Sequence, residues 1–309
     1  MPNEYHTPVL TQEVIKYLRT TPDGVYVDGT LGGGGHAEQI LMNISDRGRV
    51  IAFDFDGEAI QYTEQRLARF GDRITFIHDS YANARVRLQH LGIEKIRGLL
   101  LDLGVASHQL DEQGRGFGFQ REGRLDMRMN LDEKLDAWTV VNTYTQDRLS
   151  DLIRKYGEER YARRVARTIV QHRTDKPLNS TSELVEVIKE AVGSRMAIKS
   201  MARVFQAIRI EVNHELESLK ALLKDTIDLI ESGGRIVVIS YHSLEDRIVK
   251  HFFRDEAQRL TRSESKLIPD LPRQPRLRIL TSRPLRASAE EIMKNSRSRS
   301  AKLRAAEWI

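Results

Sequence analysis

Residues 32–36 read Gly-Gly-Gly-Gly-His and stand between a β-type run, Val25-Tyr26-Val27, and a helical pattern of Ala37, Ile40 and Leu41. Glycines between a strand and a helix let backbone approach a bulky ligand without Cβ clashes. The unpaired N–H groups of the helix start then point at whatever sits there. Gly32-x-Gly34-x-x-Ala37 also satisfies the loose dinucleotide fingerprint. The chemistry indicated is the binding of a nucleotide-type cofactor. Residues 49–56, Arg-Val-Ile-Ala-Phe-Asp-Phe-Asp, read as a buried strand ending in acid. A carboxylate there, one crossover after the glycine turn, is placed to accept hydrogen bonds from ribose hydroxyls. Asp54 or Asp56 fills that role, and the other caps the helix that follows at Glu58-Ala59-Ile60.

Asp102 ends a continuous apolar run in Leu101-Asp102-Leu103-Gly104. It is expected at the same sheet edge as residues 32–36, 54–56 and 79–81, where ligands bind in open α/β sheets. Tyr81 offers a ring to stack on an adenine. His242, in Tyr241-His242-Ser243 after a further apolar run, is either a proton acceptor or the cap of a helix beginning near Leu244. The other histidines show no metal-ligand grouping, and no metal is expected.

The elements that must position these residues follow from periodicity. The pattern predicts strands at 25–30, 49–56, 74–77 and 96–103, alternating with helices at 7–18, 59–70 and 82–91. Such alternation implies a doubly wound, mostly parallel sheet with right-handed crossovers. After Leu110 the rhythm breaks. Residues 111–130 are rich in Gly, Arg and Asp, and 137–213 are helical and strand-poor. A helix at 216–230, stopped by Gly233-Gly234, leads into a fifth strand at 235–241. Residues 277–281 and 302–309 are candidate late strands, and 262–276 and 294–302 read as basic loops. The expected organisation is a sheet domain in two parts, 1–110 and 214–309, around a helical insertion at 111–213.

Composition narrows the chemistry. The chain has 309 residues and no cysteine. That excludes disulfides, thiolate zinc sites, cysteine-held iron–sulfur clusters and any cysteine nucleophile, including one attacking C6 of a pyrimidine. No apolar run approaches the roughly 18 residues of a membrane span. The N-terminus lacks a basic-then-apolar signal pattern, so a cytoplasmic location is expected. The net charge is +5, and much of the excess falls late, from Arg262 to Arg304, with few acids among the bases. A clustered excess fits a polyanionic partner such as nucleic acid.

Several segments together resemble the ribosomal small-subunit RNA (cytosine-N4)-methyltransferase family. They are Asp28-Gly29-Thr30-x-Gly32-x-Gly34-Gly35-His36, Leu101-Asp102-Leu103-Gly104-Val105-Ala106-Ser107-x-Gln109-Leu110, Arg115-Gly116-Phe117, Leu125-Asp126-Met127-Arg128-Met129, Tyr156-Gly157-Glu158-Glu159-Arg160, Phe205-Gln206-Ala207-x-Arg209 and His242-Ser243-Leu244-Glu245-Asp246-Arg247. They keep the family's order and span nearly the whole chain. The resemblance implies a Rossmann-like S-adenosylmethionine-dependent methyltransferase sheet with an inserted helical substrate-recognition domain. It implies methyl transfer to the exocyclic N4 of a cytosine in the decoding region of 16S ribosomal RNA. The expected partner is that RNA within the small ribosomal subunit, and the sequence does not choose between a monomer and a homodimer. Gly34, Gly35, His36, Asp54, Tyr81, Asp102 and Gln109 match cofactor-contact positions; Tyr81 stands where the family usually has phenylalanine. Ala106 stands where the family often has serine. Asp102 and His242 are the catalytic candidates, and Arg115, Arg124, Arg128 and Arg209 the candidate RNA contacts, each equally able to form an internal salt bridge. Two rivals stay open: a nicotinamide oxidoreductase using the same glycine spacing, and an RNA-binding or ribosome-assembly protein with a vestigial cofactor site.

Overall fold

Along the central strands, apolar side chains alternate between two faces, and that alternation builds the sheet. The computed structural model describes residues 8–105, 114–261 and 270–309. Strands β1 (Val25–Asp28), β2 (Arg49–Asp54), β3 (Ile74–His78), β4 (Ile96–Asp102) and β5 (Ile230–Ser240) run parallel in the order β3-β2-β1-β4-β5. Tyr26, Val50, Ala52, Leu100, Val237 and Ile239 bury on one face. Against them pack α1 (Thr11–Leu18), α2 (Gly35–Asn43) and α3 (Gly57–Leu67), through Val14, Leu18, Ile40, Leu41, Ile60 and Leu67. Val27, Ile51, Phe53, Leu99, Leu101 and Val238 bury on the other face, joined by Ala84 and Leu88 of α4 (Ala84–His90).

The chain divides into two compact units, one of Met1–Gly104 with Glu217–Ile309 and one of Val105–Leu216. The second unit is helical: α5 (Ala137–Thr143), α6 (Gln146–Gly157), α7 (Ala162–Asp175), α8 (Thr181–Val192) and α9 (Ser194–Asn213). Three of its helix starts are chemically specified. Asp136 and Thr145 cap α5 and α6, and Ser180 with Glu183 forms a reciprocal capping box on α8. The segment before α5 is tied down by Asn213, whose side chain accepts from Met129 N at 2.7 Å and donates to Met127 O at 2.8 Å.

The chain returns to the sheet through α10 (Glu215–Leu229), and β5 is followed by α11 (Ser243–Glu256). Leu219, Leu222 and Leu223 of α10 and Val249 and Phe253 of α11 join the second core face. A short ribbon of β6 (Leu260–Thr261) and β7 (Leu271–Pro272) precedes β8 (Leu277–Ile279), α12 (Ala289–Lys294) and β9 (Lys302–Trp308). β9 pairs antiparallel with β5, and β8 antiparallel with β9, completing seven strands in the order β3-β2-β1-β4-β5-β9-β8.

Three expectations need correction. Residues 262–276 are not all loop, since β7 (Leu271–Pro272) falls among them and pairs with β6. Gly233-Gly234 does not stop α10; the helix ends at Leu229 and β5 begins at Ile230. The pairing jumps from Ile96↔Ile230 to Gly98↔Arg235, so residues 231–234 form an irregularity inside the strand. Residues 294–302 are not a plain loop, since Ser296–Ser300 forms a 3-10 turn.

Candidate active site

β1, β2, β4 and β5 are parallel, so Asp28, Asp54, Asp102 and Ser240 all end their strands at one edge. The glycine turn lies between β1 and α2. Gly32 and Gly34 hold φ of +50° and +75°, the left-handed region that side chains resist. A Cβ on Gly34 would also stand 3.0 Å from Thr63 Cγ2. Gly34 precedes α2, Gly35 is its first residue and His36 its second.

The two acids after β2 separate by role. Asp56 caps α3, accepting from Glu58 N at 3.0 Å. Asp54 turns to the glycine loop: Oδ2 accepts from Gly32 N at 2.6 Å and Oδ1 from Asp56 N at 2.8 Å. Tyr81 opens a 3-10 turn after β3, and its Cβ lies 3.3 Å from where a Cβ on Gly29 would be.

Asp102 is the most connected group. Its backbone N–H donates to Thr30 Oγ1 at 2.6 Å. Its Oδ1 accepts from the Tyr241 phenol at 2.9 Å. Its Oδ2 lies 3.3 Å from His36 Nε2, both side chains being under one-tenth exposed. Asp28, fully buried, accepts from Thr30 N at 3.1 Å through Oδ1, while Oδ2 has no hydrogen-bond partner. Burial pushes the Asp28 carboxyl up to about 6, against the pull of His36. For His36, burial opposes the charged form, but Asp102, Asp28 and Glu291 outweigh it and raise the imidazole above its usual value. Burial, then the Asp102 charge, lifts the Tyr241 phenol well above the ordinary tyrosine range.

His242 makes its contacts with Glu245 rather than with Asp102. It is the residue before α11, and its ring Nδ1 accepts from Glu245 N at 3.4 Å while the Glu245 carboxylate accepts from His242 N at 3.2 Å. Its Nε2 lies 3.0 Å from Glu245 Oε1. Both ring nitrogens therefore face Glu245. Gln109 lies outside the described residues.

The arginine candidates sit in the helical unit, and three of them are engaged there. Arg115 donates to the carbonyls of Arg128 and Met129, both at 3.0 Å. Arg128 grips Asp126 with two bonds of 2.9 and 2.7 Å, and Arg209 grips Glu215 at 2.7 and 2.8 Å. Arg124 is exposed, 3.6 Å from Asp136. Sequence reasoning passed over Asp28, Thr30 and Tyr241 as site residues. The available signal was that each lies at or just past the end of an apolar strand run.

Physically, the edge suits a cofactor that is cationic near the glycine turn. The cradle is tight, one carboxylate oxygen is buried and unsatisfied, and Asp28, Asp54 and Asp102 together outweigh one imidazole. A diphosphate placed on the turn would meet acids, and the Gly32 amide it would need is already taken by Asp54.

Comparison with known proteins places similarity along the whole chain. A family model described as the MraW methylase family matches residues 3–309. The ribosomal RNA small subunit methyltransferase H of Pelobacter propionicus is 48% identical over 98% of this chain and 98% of its own. The protein of that name from Clostridioides difficile is 44% identical over 99% of each chain. That from Caldicellulosiruptor bescii is 46% identical over 98% of this chain and 99% of its own.

Proposed function

This chain belongs to the MraW methylase family, and on that premise we propose that it methylates the exocyclic N4 of a cytosine in the decoding region of 16S ribosomal RNA. It is an S-adenosylmethionine-dependent ribosomal RNA methyltransferase. The substrate is RNA, which we take to be engaged within the small ribosomal subunit, in the cytoplasm. Among the described residues no helix is long and apolar enough to cross a membrane.

One observation carries the cofactor reading: Asp54 occupies the Gly32 amide at 2.6 Å, so the glycine turn presents carboxylate where a nicotinamide dinucleotide needs a free donor. S-adenosylmethionine supplies a methyl group on a positively charged sulfur. Gly34, Gly35 and the start of α2 give backbone room for it. Asp54 is assigned to the ribose hydroxyls, and Tyr81 to the adenine face.

The cytosine amine is a poor nucleophile because its lone pair is delocalised into the ring. A fixed acceptor for one N–H turns the lone pair toward the methyl group and stabilises the charge that develops on nitrogen. Asp102 is assigned that task. Tyr241 holds one of its oxygens and His36 stands beside the other, which orients the carboxylate. As the methyl transfers, S-adenosylhomocysteine leaves as the neutral thioether and the methylated nitrogen sheds its proton through the Asp102 acceptor to solvent. His242, turned toward Glu245, is assigned to the helix cap rather than to that proton. The helical unit of Val105–Leu216 is assigned to RNA recognition.

The test is incubation of unmodified small-subunit particles with the protein and labelled S-adenosylmethionine, followed by mapping of the label. We expect one cytosine N4 in the decoding region. Label on another atom or another region would replace the substrate assignment, and no label on any RNA would overturn the reading.

A further inference from the structure

Helix α7 buries Ala162, Val165, Ala166 and Ile169 and turns Arg163, Arg164 and Arg167 to solvent. At this spacing the three side chains fall within an arc of about 100°. Arg160, also exposed, precedes the helix and lies against the Tyr161 ring at 4.5 Å.

Three other arginines of the helical unit illustrate engagement in the fold. Arg128 grips Asp126, Arg209 grips Glu215, and Arg173, in α7 itself, donates to the carbonyls of Val141 and Tyr144. By contrast, the side chains of Arg163, Arg164 and Arg167 make no hydrogen bond or ion pair among the described residues. Their placement works against the helix. Arg163 with Arg167, and Arg164 with Arg167, are like-charge pairs at i,i+4 and i,i+3. Arg163 and Arg164 sit in the first turn, at the positive end of the helix dipole, with no acid there and no side-chain cap. A cluster that destabilises its own helix has its use outside the fold.

We propose that this face of α7 is where the phosphate backbone of the RNA substrate docks. The proposal rests on the methyltransferase reading for the identity of the RNA. Guanidinium groups pair bidentately with phosphate oxygens and stay charged at every working pH. Phosphate contacts set the position of the RNA on the protein without reading its sequence. This surface differs from the candidates read from sequence, since Arg115, Arg128 and Arg209 already hold internal partners.

The test compares the full chain with Arg163→Gln/Arg164→Gln/Arg167→Gln. A control triple, Arg47→Gln/Arg49→Gln/Lys95→Gln, removes the same charge from exposed positions at the amino ends of β2 and β4. Unmodified 16S RNA is titrated at several salt concentrations, and melting temperature and S-adenosylmethionine affinity are measured alongside. The α7 variant should bind RNA at least about tenfold more weakly at 0.1 M salt, with the slope of log affinity on log salt reduced by about 2, since each phosphate contact carries roughly 0.7–0.9. Cofactor affinity should be unchanged and melting temperature equal or higher, because like-charge repulsion is relieved. The single variant Arg163→Gln should lower the slope by about a third as much. Wild-type RNA affinity and slope in the α7 triple, or an equal loss in the control triple, would overturn the docking surface. A wild-type protein that binds RNA with this slope yet transfers no methyl would instead overturn the reaction and leave the surface standing.

Discussion

The phenol of Tyr241 donates to Oδ1 of Asp102 at 2.9 Å, joining the end of β5 to the end of β4. The ring reaches that position because residue 104 is glycine: a Cβ there would stand 3.1 Å from Tyr241 Cδ2, at a φ of +113°. A hydrogen bond to a charged group contributes about 1.5–3 kcal/mol. Tyr241→Phe should therefore slow single-turnover methylation by roughly 10- to 100-fold. S-adenosylmethionine affinity should stay within a few-fold of wild type. A wild-type rate would mean that Asp102 holds its orientation without the phenol.

Asp54→Ala should lower cofactor affinity by roughly 10- to 100-fold, the value of one charge-assisted hydrogen bond. It should also lower the melting temperature, because the same carboxylate accepts from Gly32 N and Asp56 N. Calorimetric titration and thermal melting of one preparation separate the two effects. Unaltered affinity would assign the ribose to another acid.

Asp28 makes stability depend on pH. Its folded carboxyl is raised from 3.8 to about 6, so the folded state binds the proton more tightly than the unfolded state. That contribution is fully present below about pH 4, is lost as pH rises through about 6, and amounts to about 3 kcal/mol. His36, raised as well, acts in the same direction. Asp28→Asn keeps an oxygen for Thr30 N and cannot ionise. The variant should gain stability relative to wild type as pH rises from 4 to 7, as read by denaturant melts across that range. A constant difference at all pH values would show that Asp28 ionises normally.

His242→Ala tests the cap. Losing an N-cap acceptor costs about 1 kcal/mol, so the melting temperature should fall while the single-turnover rate holds within a few-fold. A rate loss of about 10²–10⁴ would make His242 the proton acceptor instead.

Much of the scaffold is legible in the amino-acid sequence by itself. Strand and helix alternation along residues 11–103, the glycine turn, and acids closing the runs at Asp54 and Asp102 are local patterns, set by side-chain period and backbone sterics over a few residues. So is the change of texture after Leu110. The late strands are weaker signals. β9 lies at positions 302–308 and β8 at 277–279, and only the antiparallel pairing of β9 with β5, and of β8 with β9, shows that they finish the sheet.

What tertiary structure alone decided is partnership. Tyr241 and Asp102 are 139 residues apart, and no local period relates them; only parallel strands of adjacent register bring them together. His36 sits beside Asp102 because β1 and β4 are neighbours. Asp28 becomes a weak acid because it is fully enclosed. The same holds for the arginines. Their number is visible in the sequence, and Arg128 and Arg209 find carboxylates two and six residues away, but only the three-dimensional arrangement shows that Arg163, Arg164 and Arg167 find none among the described residues. Charge acts over distances of a few ångströms in three dimensions, and a linear pattern carries the groups but not the distances.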